Sequence, residues 1–294
     1  MFYIILSILL SVILLIIFKL FEKYGVNTFH AIIINYFTAT ATGITFSGNN
    51  FSPHEAMHSE WFWVCFPLGI LLISVFRLIS ITAQKINVST AAIANKMSVI
   101  IPVIFSVLVL NEFIGPGKIS GIVLALIALY FTGVAQKNKS NSESNLFYLP
   151  LLVFMGSGLI DLIINATNAF LIRGPKDSEM FTTFSFAVAG FLGILILIFQ
   201  YSNHKKTNTN KVFFEWKSVI GGVILGIPNY FSIFFILKSL ESNLFTSAQL
   251  FPILNISNVL LASLSGWLLF REKLTLKNYL GILLAVIAIV LIAI

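Results

Sequence analysis

Stretches of about 20 mostly apolar residues recur along the 294-residue chain, and this recurrence constrains its fold more than any other feature. An α-helix rises 1.5 Å per residue, so a helix of this length crosses a hydrocarbon core about 30 Å thick. Only 10% of the residues are charged, against roughly 25% in a water-soluble domain, and the mean hydropathy is +0.97. We therefore expect an all-α integral membrane protein.

Polar and turn-forming segments divide the apolar sequence into ten predicted transmembrane spans. They cover residues 2–18, 29–47, 61–83, 88–110, 118–136, 147–171, 180–200, 218–237, 243–270 and 275–294. Gly115-Pro116-Gly117 and Gly174-Pro175 are typical turn sequences between spans. The polar segment from Lys137 to Asn145 lies at the middle of the chain and separates two groups of five spans.

The two halves of the sequence, residues 1–140 and 141–294, resemble each other. Residues 121–128 and 281–288 are identical at six of eight positions at a constant offset of 160, and each segment begins nine residues after a glutamate, Glu112 or Glu272. A repeat of five spans, an odd number, places its two copies upside down in the membrane relative to each other. Inverted repeats of this kind form the alternating gates of many transporters. We therefore predict a 5+5 inverted repeat.

The five-plus-five pattern, Pro102 in span four and the acidic turn before the last span of each half resemble the drug/metabolite transporter superfamily, EamA type. In that family the turn reads leucine-glycine-glutamate-arginine. Here it reads Leu110-Asn111-Glu112-Phe113 and Phe270-Arg271-Glu272-Lys273, so the glutamate is kept and the glycine is not. The resemblance covers essentially the whole chain and is too diffuse to identify a substrate.

The resemblance implies alternating-access transport of small metabolites such as amino acids, nucleobases, sugars or drugs, without enzymatic activity or a cofactor. We expect an exporter in the plasma or inner membrane, surrounded by lipid, as a monomer or weak homodimer that binds no nucleic acid. Thirteen basic residues near loops on one side of the predicted spans against four on the other place both termini outside. The resemblance implies both termini inside, so the orientation stays open.

Asp161 lies in the middle of span six, and an ionisable residue at this depth costs several kcal/mol on insertion scales. Helical spacing aligns it with Ser157, Asn165 and Asn168 on one face, which cannot face lipid. We predict that this face lines a water-filled cavity. The alternative is a ladder of hydrogen bonds between helices that fixes their packing.

Lys96 in span four is the natural counter-charge for Asp161, because both spans enter the membrane from the same side. The alternative is that Lys96 extends to the membrane interface and does not meet Asp161. Asn95, Ser98 and Pro102 lie beside Lys96, and the proline leaves one backbone carbonyl without its usual helical donor.

Other spans add neutral polar groups and helix-bending residues. We predict a central cavity lined by spans 1, 4, 6, 8 and 9, with further lining residues Asn35, Tyr36, Asn229, Tyr230, Asn255 and Asn258, and structural or hinge roles for Pro102, Pro228, Pro252, Glu112 and Glu272. Many neutral donors and acceptors with two buried charges favour a small polar or zwitterionic substrate. No nucleotide-binding segment is visible, so a gradient would drive transport, with Asp161 as the hypothetical proton carrier.

One motif points to a different function. His54-Glu55-Ala56-Met57-His58 matches H-E-x-x-H, in which two histidines bind zinc and the glutamate activates water. It lies in the loop between spans two and three, after Pro53, where a short interfacial helical turn is the simpler interpretation. The alternative functions are therefore a membrane-embedded zinc hydrolase, and a lipid scramblase or scaffold.

Overall fold

The computed structural model describes residues 1–48, 51–85, 88–113, 115–134, 148–204, 215–270 and 276–293. These residues form twelve α-helices, a short 3₁₀ helix at Glu60–Val64, and no β-strand. The helices are α1 (Phe2–Tyr24), α2 (Thr28–Ser47), α3 (Pro53–His58), α4 (Cys65–Lys85), α5 (Val88–Met97), α6 (Ile100–Leu108), α7 (Pro116–Val134), α8 (Tyr148–Phe170), α9 (Pro175–His204), α10 (Trp216–Glu241), α11 (Ser247–Phe270) and α12 (Leu276–Ala293).

Each predicted span coincides with one α-helix, apart from span four, which coincides with two, and span three also includes most of the 3₁₀ helix before α4. Helix α3 is an additional short helix outside the spans. Within the described residues, six helical segments are long and apolar enough to cross a membrane by length and composition. They are Phe2–Phe21, Glu60–Ile79, Tyr148–Phe170, Pro175–Phe199, Trp216–Glu241 and Ser247–Gly266. Shorter apolar helices occupy Ala94–Leu108, Pro116–Ala128 and Tyr279–Ile292. The predicted all-α, multi-span membrane fold is thereby confirmed.

Span four is not one continuous helix, because α5 ends at Met97 and α6 begins at Ile100. Pro102 has no backbone N–H and cannot bond the Ser98 carbonyl, which accepts instead from the Ile101 N–H at 3.0 Å. The carbonyl that the proline leaves without its usual donor is therefore not free, contrary to the expectation from the sequence. The result is a tight turn in the middle of the span.

The helices group into two compact units, each built from both halves of the sequence. The first unit comprises Met1–Leu9, Ser74–Ala166 and Ser239–Ile294. Its most extensive packing joins α7 to α12, and α6 packs on α11. Gly121 near the start of α7 lies against Leu291 and Ile292 near the end of α12, so these two helices run antiparallel.

The second unit comprises Leu10–Ile73 and Thr167–Lys238, and α2 is its central helix. One face of α2 packs on α9, where Gly193 lies against Ile33. Another face packs on α10 at two glycines one turn apart: a Cβ on Gly222 would lie 2.6 Å from the Ala31 carbonyl oxygen, and one on Gly226 would lie 2.8 Å from that of Asn35. Such close approach of backbones is how small residues stabilise helix pairs in a membrane, where lipid removes the hydrophobic driving force.

Candidate functional site

In the first unit, the polar face of α8 contains Ser157, Asp161 and Asn165. Ser157 and Asn165 are buried, whereas Asp161 is half-buried. The Ser157 hydroxyl and the Asn165 Oδ1 atom have no hydrogen-bond partner among the described residues. Most buried hydroxyls in membrane helices bond a carbonyl one turn back, as Ser106 does with Pro102 at 2.8 Å. Unpaired buried polar atoms usually indicate a bound water or ligand.

The α8 helix packs closely on α6 in a parallel orientation. Gly158 lies against Ile101, and one to two turns further along both helices the Asn165 Nδ2 atom donates to the Ser106 hydroxyl at 2.9 Å. The Ser106 hydroxyl donates in turn to the Pro102 carbonyl, so the three groups form a short hydrogen-bonded chain. This chain fixes the register of α8 against the second half of span four.

Lys96 lies in the last turn of α5, directly before the break in span four, and Asp161 lies midway along α8. Both side chains are half-buried, and both residues belong to the first unit. Their charged atoms do not form an ion pair within 4.0 Å in the described structure.

The break in span four positions the neighbours of Lys96. Ser98 is buried and donates its hydroxyl to the Asn95 carbonyl at 2.6 Å, which tightens the turn between α5 and α6. Asn95 itself is half-buried. Pro102 is buried at the start of α6 and causes the break described above.

Helix α11 supplies the remaining predicted residues of the first unit. Asn258 is buried, and its Oδ1 atom has no partner among the described residues. Asn255 donates to the Phe251 carbonyl at 3.1 Å within the same helix. Pro252 lies within α11, which continues through it.

Glu112 caps the start of α11. Its two carboxylate oxygens accept from the backbone N–H groups of Ser247 and Ala248 at 3.0 and 2.9 Å, which satisfies free donors in the first turn and places a negative charge at the positive end of the helix dipole. Asn111 before it has φ +54°, a left-handed conformation that glycine adopts freely and asparagine tolerates. This explains why asparagine can replace the family's glycine. The matching glutamate, Glu272, lies outside the described residues.

The second unit contains the other predicted pairs. Asn229 on α10 donates from Nδ2 to the Oδ1 atom of Asn35 on α2 at 3.1 Å. Tyr36 and Tyr230 are fully buried, and both rings contact Phe186. These aromatic contacts and the amide pair lie where α2 meets α9 and α10.

Three further features belong to the second unit. Thr183 and Ser47 lie beside the Tyr230 hydroxyl. Pro228 lies within α10, which is continuous. Asn168 is also part of this unit, and its buried Oδ1 atom has no partner among the described residues.

The H-E-x-x-H motif forms α3. Glu55 pairs with Lys176 at the start of α9, so its carboxylate is neutralised instead of facing a metal-bound water. Among the described residues, no third histidine, cysteine, aspartate or glutamate joins the two histidines into a potential metal cluster.

One contact was not anticipated from the sequence, although a motif indicated it. Gln249 accepts the backbone N–H of Thr246 at 3.1 Å, and its Nε2 atom donates to the Ile292 carbonyl at 2.7 Å. Thr246-x-x-Gln249 is the capping-box pattern of a helix N-terminus, so the sequence could have located the start of α11 at Ser247 instead of 243.

Comparison with known proteins gives a consistent assignment. The sequence model of the EamA-like transporter family matches residues 1–134 and residues 152–294. An uncharacterized protein of Haemophilus influenzae is 28% identical over 291 residues, which cover 96% of this chain and 94% of that protein. A solved crystal structure superimposes with a TM-score of 0.68 over 99% of this chain and 94% of the other, at 14% identity, which shows a shared fold. Since the two matched segments make up most of the sequence, the chain belongs to the EamA-like transporter family of multi-span helical membrane proteins.

Proposed function

We propose that the protein is a gradient-driven secondary transporter of small zwitterionic metabolites, of which amino acids are the simplest. The family makes it a membrane transporter of small molecules. The observation that supports the substrate class is that Lys96 and Asp161, with side chains of opposite charge, are half-buried within the spans of one unit and form no ion pair in the described structure. A zwitterion would place its ammonium at Asp161 and its carboxylate at Lys96.

The neutral groups nearby complete the proposed site. The unpaired oxygen atoms of Ser157, Asn165 and Asn258 offer hydrogen-bond acceptors inside the first unit. Leaving such groups without a partner costs about 1–3 kcal/mol each, a cost that a bound polar solute would offset. The Glu112 cap holds the start of α11, the helix that contains Asn258, and is a positioning contact in this proposal.

The remaining parts of the proposal rest on the family and the sequence. The match of the family to two successive segments supports duplicated halves at 1–140 and 141–294 as an inverted repeat that alternates access. We propose export across the plasma or inner membrane by a monomer or weak homodimer, with Asp161 as the proton carrier, and no enzymatic activity. The Glu55–Lys176 pair does not favour a hydrolase, because it engages the carboxylate that would activate water.

The test compares a compound that carries both charges of the proposed substrate with compounds that carry only one of them. Purified protein in detergent would be heated with an amino acid, with the amine that lacks its carboxylate, and with the acid that lacks its ammonium. We expect the zwitterion to raise the melting temperature most, and the same compound to exchange across proteoliposomes containing the protein. Equal stabilisation by the amine or the acid alone would contradict the proposed substrate class, and absence of exchange for any compound that binds would contradict transport.

A further inference from the structure

Helix α3 presents two exposed histidines, His54 and His58, on successive turns of one face. Ser52 caps the helix through its hydroxyl, which accepts from the Glu55 N–H at 3.4 Å, and Pro53 occupies the first turn. Both features fix the start of a helix that would otherwise be too short to form reliably. The two histidines are therefore held one turn apart by local sequence.

The two imidazole rings lie close together and one of them is held in a defined tautomer. Their centroids are 4.6 Å apart, with an angle of 35° between the ring planes. The His58 Nδ1 atom lies 2.8 Å from the His54 carbonyl oxygen, and since a carbonyl can only accept, the Nδ1 atom is the donor. In the neutral ring the proton is then on Nδ1, and the Nε2 atom presents a free lone pair. A hydrogen bond of this kind orients most histidines that bind metals.

We infer that His54 and His58 form a two-histidine binding site for a divalent late transition-metal ion. Imidazole nitrogens favour copper, nickel and zinc over magnesium and calcium, which prefer oxygen ligands. An ion bound there would lie about 2.1 Å from one nitrogen of each ring. Glu55 is paired with Lys176 and the described residues supply no third ligand group, so water completes the coordination and the ion exchanges freely.

The site has a structural consequence that is independent of transport. Chelation across one turn of α3 stabilises that helix, because the metal joins residues that are close only in the helical conformation. The Glu55–Lys176 pair attaches the same helix to α9, and Arg173 pairs with Glu60 at 3.8 Å in the adjacent 3₁₀ helix. Metal binding should therefore stabilise the segment from Ser52 to Glu60.

Titration of purified protein with Ni²⁺ tests this inference, with binding measured by calorimetry and backbone protection of residues 52–60 by hydrogen exchange. We expect one ion per chain and increased protection of this segment. Loss of one ligand should weaken binding at least as much as loss of a group that only orients a ligand, roughly tenfold or more. His54→Ala and His58→Ala should each show this loss.

His30→Gln and His204→Gln are the matched controls and should leave the titration unchanged. Metal binding that persists in both His54→Ala and His58→Ala would overturn the inference. A titration without a saturable site in the wild-type protein would also overturn it. Neither result bears on the proposed transport function, which is measured without added metal.

Discussion

The two units of this protein differ in where their oppositely charged side chains lie. In the second unit, Glu55 on α3 and Lys176 at the start of α9 form an exposed ion pair, and the buried amides of Asn35 and Asn229 are hydrogen-bonded to each other. In the first unit, Lys96 and Asp161 lie half-buried within the spans and form no ion pair in the described structure. Exposed ion pairs contribute about 0–1 kcal/mol, whereas a charge inside a span costs several kcal/mol. In the function proposed above, the second unit uses its polar groups for packing, whereas the first keeps its charges for a ligand.

The sharpest test of this difference is Asp161→Asn, which keeps the size of the side chain and removes its charge and proton. We expect it to abolish uptake into proteoliposomes, because neither the substrate ammonium nor a transported proton would be bound. Since no direct ion pair joins Asp161 to Lys96 in the described structure, the melting temperature should change little. If the pair instead locks packing, the variant should lose about 3–5 kcal/mol of stability.

Asp177→Asn is the control for this variant. Asp177 is the only other aspartate of the sequence, and its carboxylate accepts from the Arg173 backbone N–H at 2.9 Å at the exposed start of α9. We expect this control to transport normally. A stable Asp161→Asn protein with normal transport would contradict both the binding role and the packing role of Asp161.

Removing the positive charge should have the next largest effect. A hydrogen bond to a charged group contributes about 1.5–3 kcal/mol, so Lys96→Gln should raise the KM for a zwitterion roughly ten- to hundredfold. The variant and the wild-type protein should bind the matching amine, which lacks the carboxylate, with equal affinity. An unchanged KM for the zwitterion would show that Lys96 extends to the membrane interface instead.

Gly226→Val tests the packing of the second unit. A Cβ at this position would lie 2.8 Å from the Asn35 carbonyl oxygen, so the larger side chain must separate α2 from α10. Overpacking of this kind costs about 1–3 kcal/mol, and the melting temperature should fall accordingly. Gly117→Ala is the control, since nothing lies within 4 Å of a Cβ there. Equal melting temperatures for the two variants would contradict the close approach of α2 and α10.

Asn229→Ala removes the hydrogen bond to Asn35 and should have a smaller effect. Hydrogen bonds between membrane helices contribute about 0.6 kcal/mol on average, so we expect a small decrease in melting temperature. Transport kinetics should stay close to those of the wild-type protein. A stable variant that has lost transport would place Asn229 in the substrate site and remove the distinction between the two units.

We expect the smallest effect on transport from changes to α3, in the connection between α2 and α4. The double replacement of His54 and His58 by alanine should leave transport of the substrate intact when no metal is added. Uptake by proteoliposomes is the measurement, and purified protein analysed directly should contain no stoichiometric zinc. Loss of transport together with loss of a tightly bound zinc ion would support the zinc-hydrolase alternative.

The sequence by itself determined the features that depend on neighbours along the chain. Ten apolar stretches specified the helices and the membrane environment, because hydropathy and helix length are local properties. The spacing of Ser157, Asp161 and Asn165 placed these residues on one face of a helix, because side chains four residues apart share a face. The family was also identifiable from Pro102 and the repeated glutamates.

Only the tertiary structure decided which distant groups meet. Glu112 caps a helix that begins 135 residues later, and the chain between them does not encode that contact locally. The break before Pro102 follows from the Ile101–Ser98 hydrogen bond, although a proline alone is compatible with a continuous kinked helix. Gly226 meets the Asn35 carbonyl because α10 and α2 pack at that level. The local pattern fixes which face of a helix is polar, whereas the packing of helices fixes which groups satisfy that face and which remain free to bind a solute.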